Sequence, residues 1–330
     1  MKYRPLGRTG LTVSELGFGC GMIGGLLVQG EYPTMRRVVE RAIELGINYF
    51  DTAPLYGKGQ SEVNIGAVLR ELGADVLVGT KMGLSQTELS RLDEAITASA
   101  HASLRRLGRE RIDVLHLHNP LATHGGRPDW AALTMLIFPS VLRTFERLHD
   151  QGKIRSWGIT GLGDSALLHE AVRVGGFHTI QTVFNLLNPS TGQPAPAGFP
   201  FQDYGRLIDR AAKEGMGLLA IRVLAGGALS GTTDRHPTAE RSVSPIASSP
   251  DYVADVARAK RFSFLVEDGT VESLVEASIR FVLGKPELST ALVGISSPEQ
   301  LEEAVRYANR GPLPADALAR IAETQAQPVS

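Results

Sequence analysis

Asn48-Tyr49-Phe50-Asp51-Thr52-Ala53-Pro54-Leu55-Tyr56-Gly57 is a short apolar run that ends in an acid and leads into a Pro/Gly turn carrying a tyrosine. Ile47 to Phe50 reads as a strand. Ser61 to Leu72 then reads as a helix, with Ser61 as its candidate N-cap and Gly73 just past its end. One strand followed by one helix is the unit from which the rest of the chain is built.

Outward from this stretch the unit recurs. Before it lie a strand at Leu16–Cys20 and a helix over 33–45, opened by Pro33 and stopped by Gly46. After it come strands at Val76–Thr80, Ile112–Leu117, Ile154–Ile159, Thr179–Phe184, Gly217–Leu224 and Leu288–Val293. The helices between and after them are expected at Leu89–Leu107, Phe138–Gln151, Ser165–Val174, Tyr204–Glu214, Val271–Leu283 and Pro298–Ala308. The strands are apolar on both faces, as buried parallel strands are. Eight strands alternating with eight helices predict an α/β fold, a (β/α)8 TIM barrel. Residues 3–14 predict an N-terminal β-hairpin around Gly7-Arg8-Thr9-Gly10. Residues 1–330 are expected to form a single domain, with a C-terminal tail over 311–330 that carries a weak helix at 315–323.

The rival fold is an open doubly wound sheet. Gly19-Cys20-Gly21-Met22-Ile23-Gly24 matches the Gly-x-Gly-x-x-Gly letters of a dinucleotide turn. Those glycines work only where the turn runs straight into a helix, and eight residues separate Gly24 from the helix at 33. The match is therefore rejected. Two Gly/Pro-rich segments, 187–203 and 225–262, break the rhythm. Both leave strand C-termini, the face where barrel sites sit, and are expected to be mobile lids.

Composition narrows the function. The chain has 330 residues, a formal net charge of −1 and 43% hydrophobic residues, enough for a large core. Near-neutrality excludes nucleic acid as the main partner, because phosphate backbones need a surplus of Lys and Arg. Cys20 is the only cysteine, so no intrachain disulfide can form, which fits a reducing compartment. No long charge-free apolar span is present, so no membrane partner and a cytoplasmic location are expected. Oligomeric state is not written in the residues.

Four chemical groups converge where these strands end. Asp51, Lys81 and His118 each follow a strand, and Pro54 turns Tyr56 back over the same face. A free phenol, with a pKa of about 10, gives up its proton reluctantly. A neighbouring ammonium is expected to lower that value, and a carboxylate to hold the ammonium charged. Tyr56 then suits a general acid towards a developing alkoxide, with a neutral His118 orienting the carbonyl oxygen. No strong nucleophile is present, which argues against acyl transfer. His116-x-His118 could suggest a metal-dependent barrel hydrolase, but no third ligand has suitable spacing, so no metal is expected.

These residues resemble the aldo-keto reductases along essentially the whole chain, from Tyr3-Arg4-Pro5-Leu6-Gly7-Arg8-Thr9-Gly10-Leu11 to the helix at 298–308. Asp51-Thr52-Ala53 with Tyr56-Gly57 and Glu62 resembles the family's signature. Thr80-Lys81 matches its lysine, and Leu115-His116-Leu117-His118-Asn119-Pro120 its histidine segment. The resemblance implies the barrel with its hairpin, and catalytic roles for Asp51, Tyr56, Lys81 and His118. It implies an NAD(P)H-dependent oxidoreductase that reduces aldehydes or ketones to alcohols by reversible hydride transfer. The alternatives it leaves are an NAD(P)-dependent aldose or sugar dehydrogenase working oxidatively and a non-catalytic redox-sensing subunit.

By the same resemblance the dinucleotide, NADP(H) ahead of NAD(H), lies across the barrel mouth. Thr160 and Gln181 would hold the nicotinamide amide, with Gly21, Met22 and Asp51 beside it. Ile221 stands where the family often has a stacking aromatic. Arg222 takes a serine position near the pyrophosphate, followed by Leu224 and Gly226. Gly294, Ser296, Gln300 and Glu303 match the adenosine-side motif, in which a helix start offers free backbone donors to phosphate. Thr160-Gly161 departs from the family's usual Ser-Asn and loses one amide contact. The adenosine segment offers no Lys or Arg for a 2′-phosphate. The partner is expected to be a small-molecule carbonyl or alcohol.

Overall fold

The structure, a computed structural model, describes residues 1–327. In chain order its elements begin with β1 (Tyr3–Pro5), β2 (Thr12–Ser14), β3 (Leu16–Gly19), α1 (Leu26–Gln29), α2 (Tyr32–Glu44), β4 (Tyr49–Asp51) and α3 (Gln60–Leu72). They continue with β5 (Leu77–Met82), α4 (Leu92–Leu107), β6 (Ile112–Leu117), α5 (Phe138–Asp150), β7 (Ile154–Gly161), α6 (Ser165–Val174), β8 (Thr179–Val183), α7 (Leu207–Lys213) and β9 (Gly217–Ile221). The last are α8 (Tyr252–Ala259), α9 (Phe264–Glu267), α10 (Leu274–Leu283), β10 (Thr290–Gly294), α11 (Pro298–Asn309) and α12 (Ala315–Ala326).

Strands β3 to β10 close a parallel barrel in sequence order, with β10 pairing β3 at the seam. The helices pack outside it by the expected periodicity. Met35, Val38, Val39 and Ala42 of α2, for example, are all buried on one stripe. β1 and β2 pair antiparallel, Tyr3 opposite Ser14. This hairpin seals the barrel base. Leu6 and Val13 pack with Tyr49, Val114, Leu219 and Leu292, and burying a leucine such as Leu6 contributes about 1.5–3 kcal/mol. Arg4 donates to the carbonyls of Leu283 and Leu288 at 3.0 and 2.9 Å, and Arg8 to that of Phe177 at 2.9 Å, so the plug is pinned by polar bonds at its rim.

Several local expectations are corrected. Ser61 is not the N-cap of α3: Gly59 is, and Ser61 is buried in the first turn, where its hydroxyl donates to the Cys20 carbonyl at 2.8 Å. The gap after Gly24 is not all loop, because α1 occupies part of it. Gly24 and Gly25 serve close packing. A Cβ on Gly24 would lie 2.5 Å from the Ile295 nitrogen, and one on Gly25 1.8 Å from the Thr238 carbonyl oxygen. In the C-terminal tail, the weak helix is longer than expected, as α12, while residues 328–330 of the expected tail lie outside the described residues.

The two long segments differ from the expected pair of lids. Residues 187–191 are buried. Asn188 ties them down, donating to the carbonyls of Gln202 and Ala247 at 2.9 and 2.6 Å and accepting from Ser190. The second segment contains a helix, α8, that the Ser/Thr/Pro-rich composition concealed. The stretch between β9 and α8 reaches past β10 to the loop after β3, where the Glu240 N–H donates to the Met22 carbonyl at 3.1 Å.

Candidate active site

β4, β5 and β6 are neighbours in the barrel, so groups at their C-terminal ends must meet. Asp51 is the last residue of β4, Lys81 the penultimate residue of β5, and His118 follows β6 directly, its N–H on the Met82 carbonyl at 2.8 Å. The Lys81 ammonium donates to the Asp51 carboxylate, and to the Thr52 carbonyl at 2.9 Å. It lies 5.0 Å from the Tyr56 ring centroid. Gln181 donates to the second oxygen of Asp51 at 2.7 Å. Tyr56 and His118 meet edge-on with 6.2 Å between centroids. The structure therefore brings all four expected groups together.

Trp130 extends this cluster, edge-on to His118 at 5.3 Å. Its seat depends on Gly83, where a Cβ would lie 2.1 Å from the indole. Behind Lys81, the fully buried Glu62 accepts from Thr80 and from Arg106, both at 2.6 Å, and fixes α3 against β5.

Burial sets the electrostatics. It penalises the Lys81 charge, but Asp51 and Tyr56 more than offset it, and the ammonium ends above its ordinary pKa. Burial also pushes the Asp51 carboxyl up, against the pull of Lys81 and Gln181. The pair is read as ionised because both Asp51 oxygens accept from donors, leaving no acceptor for a carboxylic proton. His118 is pushed down to about 3 by burial and by the Lys81 charge, so its imidazole is neutral. The expected lowering of the Tyr56 pKa is not found. Burial raises it, and Lys81 only partly compensates. The Tyr56 ring lines the cleft and is half-buried, and the Asp51 charge adds to the rise that Lys81 opposes.

A cleft of about 600 Å³ runs from this cluster across the barrel mouth. Asp51, Tyr56 and His118 line one end, whereas Lys81 lies beneath the floor. Gly21, Met22, Thr160, Gln181 and Ile221 follow, then Arg222, Leu224 and Gly226. Gly294, Ser296, Gln300 and Glu303 line the other end. Thr160 is buried and its hydroxyl has no partner, which suits an amide of a bound ligand. Gln181 spends one amide hydrogen on Asp51, leaving the other as a donor and its carbonyl oxygen as an acceptor. The Gln300 carbonyl oxygen is taken by the Ser296 N–H at 2.9 Å. Length, shape and donor set fit a nicotinamide dinucleotide. No residue of 187–203 lines the cleft.

Arg235, His236 and Ile246 also line it, and sequence reasoning missed them; Tyr252, an aromatic of the 225–262 segment, lines it too. They lie in or beside a Ser/Thr/Pro-rich stretch with no periodicity to place them. His116 faces the barrel interior, its Nε2 3.0 Å from the Thr179 hydroxyl. Among the described residues no group of His, Cys, Asp and Glu could hold a metal ion. Among them, too, no helix is long and apolar enough to cross a membrane.

Comparison with known proteins agrees with this geometry. The model of the family described as "Aldo/keto reductase family" matches residues 15–326. The chain is 28% identical over 308 residues to L-galactose dehydrogenase of Arabidopsis thaliana, covering 92% of this chain and 87% of that one. It is 26% identical over 336 residues to pyridoxal 4-dehydrogenase of Microbacterium luteolum, covering 92% and 91%. The holo form of aldo-keto reductase AKR11C1 from Bacillus halodurans superposes with a TM-score of 0.72, at 24% identity and covering 98% and 96%, and shows the same fold. The chain belongs to the aldo/keto reductase family and is an enzyme of that family, an oxidoreductase. Members of this family typically use NAD(P)H and act on small carbonyl compounds.

Proposed function

We propose that the protein reduces small aldehydes or ketones to alcohols with NAD(P)H, with Tyr56 as proton donor. The observation that carries this reading is Lys81, held between the Asp51 carboxylate and the Tyr56 ring at one end of the cleft. The barrel, hairpin and tail act as one unit.

Each residue has a separate task. Tyr56 keeps its proton at neutral pH, because its pKa is raised. An alkoxide is far more basic than even this phenol, so the proton moves once charge develops on the substrate oxygen. Lys81 stabilises the phenolate left behind, and Asp51 keeps Lys81 charged and aimed. His118, neutral, offers a hydrogen bond to the carbonyl oxygen, and Trp130 walls the substrate side. Thr160 and Gln181 hold the nicotinamide amide, with Gly21 and Met22 beside it. Ile221 packs the ring, and Arg222, Leu224 and Gly226 flank the pyrophosphate. Gly294, Ser296, Gln300 and Glu303 take the adenosine. The dinucleotide supplies hydride in the reductive direction and accepts it in the oxidative one. NADP(H) is favoured over NAD(H), supported by His236 in the cleft wall.

A second reading is oxidation of a small hydroxylated substrate, favoured by two relatives named as dehydrogenases, of L-galactose and at position 4 of pyridoxal. Oxidation needs Tyr56 as a phenolate, so its raised pKa sends that rate upward into the alkaline range. The test follows NADPH and NADH consumption over a set of aldehydes and ketones, and their formation over sugars, with Tyr56→Phe alongside. Tyr56→Phe is expected to keep dinucleotide binding and to lose about 10²–10⁴-fold in turnover. Equal turnover in both forms would remove Tyr56 from the role.

A further inference from the structure

Tyr56 stands at the head of a turn with uncommon backbone angles. Between it and α3, Gly57, Lys58 and Gly59 have φ of 60°, 54° and 93°, three left-handed residues in a row. Glycine adopts this conformation freely, whereas Lys58 does so against its own Cβ. The Lys58 side chain is exposed, so its own packing does not hold it there. Strain of this kind persists only where the surroundings fix it.

Those surroundings have names. Before the turn, the Tyr56 N–H donates to the Ala53 carbonyl at 3.1 Å. After it, the Ser61 hydroxyl uses its one hydrogen on the Cys20 carbonyl, so the Thr52 hydroxyl donates to Ser61, at 2.7 Å. The turn is thus tied to the residues that follow β3 and β4. Two side chains close on its backbone: a Cβ on Gly57 would lie 2.6 Å from Val28 Cγ1, and one on Gly59 2.8 Å from Arg106 Cδ. Arg106 belongs to α4, on the outside of the barrel. Its stem lies across Gly59, while its Nε donates to Glu62 at 2.6 Å and its Nη2 to the Ser103 hydroxyl at 3.2 Å. The other oxygen of the buried Glu62 accepts from Thr80, the residue before Lys81. One arginine therefore touches the turn that carries Tyr56 and, through Glu62, the strand that carries Lys81.

We propose that Arg106 is a positioning residue for proton transfer: with Glu62 it holds the strained turn 57–59 where the Tyr56 phenol meets the Lys81 ammonium. This rests on the proton-donor reading of Tyr56 above and deepens it. Arg106, Glu62 and Lys58 do not line the cleft. Their effect reaches the site through the backbone, as a displacement of the phenol, and a misplacement of about 1 Å can cost about 10²-fold in rate. The strain has a use here. A side chain at Lys58 narrows the conformations open to the turn, where a third glycine in the row would widen them.

The test follows single-turnover oxidation of bound NADPH by the full chain in light and heavy water, beside NADPH affinity and Tm. The carbonyl is benzaldehyde, or the fastest of the set above if benzaldehyde is not turned over. Arg106→Met leaves Glu62 buried without its counter-charge and should lower Tm. It is also expected to slow transfer about tenfold and to raise the solvent isotope effect, with NADPH affinity unchanged. Arg106→Lys keeps the charge and should recover part of the rate. Lys58→Gly separates position from stability: Tm should not fall, because glycine relieves the strain, yet transfer should slow about threefold with the same isotope signature. It also decides the matter if Arg106→Met does not fold. Transfer within about twofold of wild type in each folded variant overturns the proposal, as does a loss in which NADPH affinity falls as far as the rate. Equal turnover by Tyr56→Phe, or none by the wild type with any carbonyl of the set, would instead overturn the reading on which the proposal rests.

Discussion

The two ends of the cleft are built in different ways. At the reacting end, Asp51, Lys81 and His118 stand on three adjacent strands, where backbone pairing fixes each group to its neighbour. At the other end, Arg222 and Arg235 come from the long segment after β9 and are held through carbonyls and a tyrosine hydroxyl, while His236 accepts from the Thr238 N–H. Arg222 and Ala225 have φ of 55° and 48°, and at the reacting end Lys58, two residues after Tyr56, has φ of 54°, so both ends carry backbone strain. Proton transfer needs groups fixed to a fraction of an ångström, whereas cofactor exchange needs a wall that can open.

Lys81→Met strikes the reacting end hardest. It leaves Asp51 buried without its counter-charge, at a cost of about 3–5 kcal/mol, and turnover should fall about 10²–10⁴-fold. Thermal melts and kcat read the two effects. Asp51→Asn added to Lys81→Met should recover part of the lost stability and none of the rate. If NADPH affinity falls as far as kcat, the two ends are not separable.

Gly83→Ala tests the substrate wall. The new methyl displaces Trp130 from His118, and KM for a carbonyl substrate should rise about tenfold, with the dinucleotide dissociation constant unchanged. A shift in dinucleotide binding would mean that Trp130 serves both ends.

Asn188→Ala addresses the segment that packs down instead of crossing the cleft. It removes donors to two carbonyls and an acceptor for Ser190. The expected cost is about 1–3 kcal/mol, seen as a lower Tm with kcat/KM unchanged. Lost activity at full stability would make 187–203 part of the site.

The last effect appears only in acid. His118 has a pKa of about 3 in the fold and an ordinary value of about 6.5 unfolded. The unfolded chain binds the extra proton first, so the stability gained from a neutral His118 is complete above pH 6.5 and is lost as pH falls towards 3. His118→Gln should flatten the rise of Tm with pH across that window. An unchanged slope would assign the acid sensitivity to other groups.

The reacting end was legible because strand ends carry a pattern: apolar runs closed by Asp51, Lys81 and His118, with Pro54 turning Tyr56 inward. The barrel was legible for the same reason, since its strands and helices alternate with few interruptions. The phenol's raised pKa was not, because burial depends on how the whole mouth packs, and a sequence shows Lys81 without showing the desolvation that outweighs it. The unequal fates of 187–203 and 225–262 were hidden too. Both are rich in Gly and Pro, and what separates them is the bonding of Asn188 in one and Arg235 in the other, with partners far away in the chain. Composition also concealed α8, whose eight residues follow directly on a turn-rich stretch.

The barrel seam joins the two ends of the polypeptide. β3 pairs with β10, and the Ala291 N–H donates to the Glu15 carbonyl at 2.8 Å. During translation Gly19 leaves the ribosome long before Gly294, and at about 5–20 residues per second the wait is roughly 15–55 s. For that interval β3 has an unpaired edge, and the nascent chain offers chaperones a sticky strand until its last partner emerges.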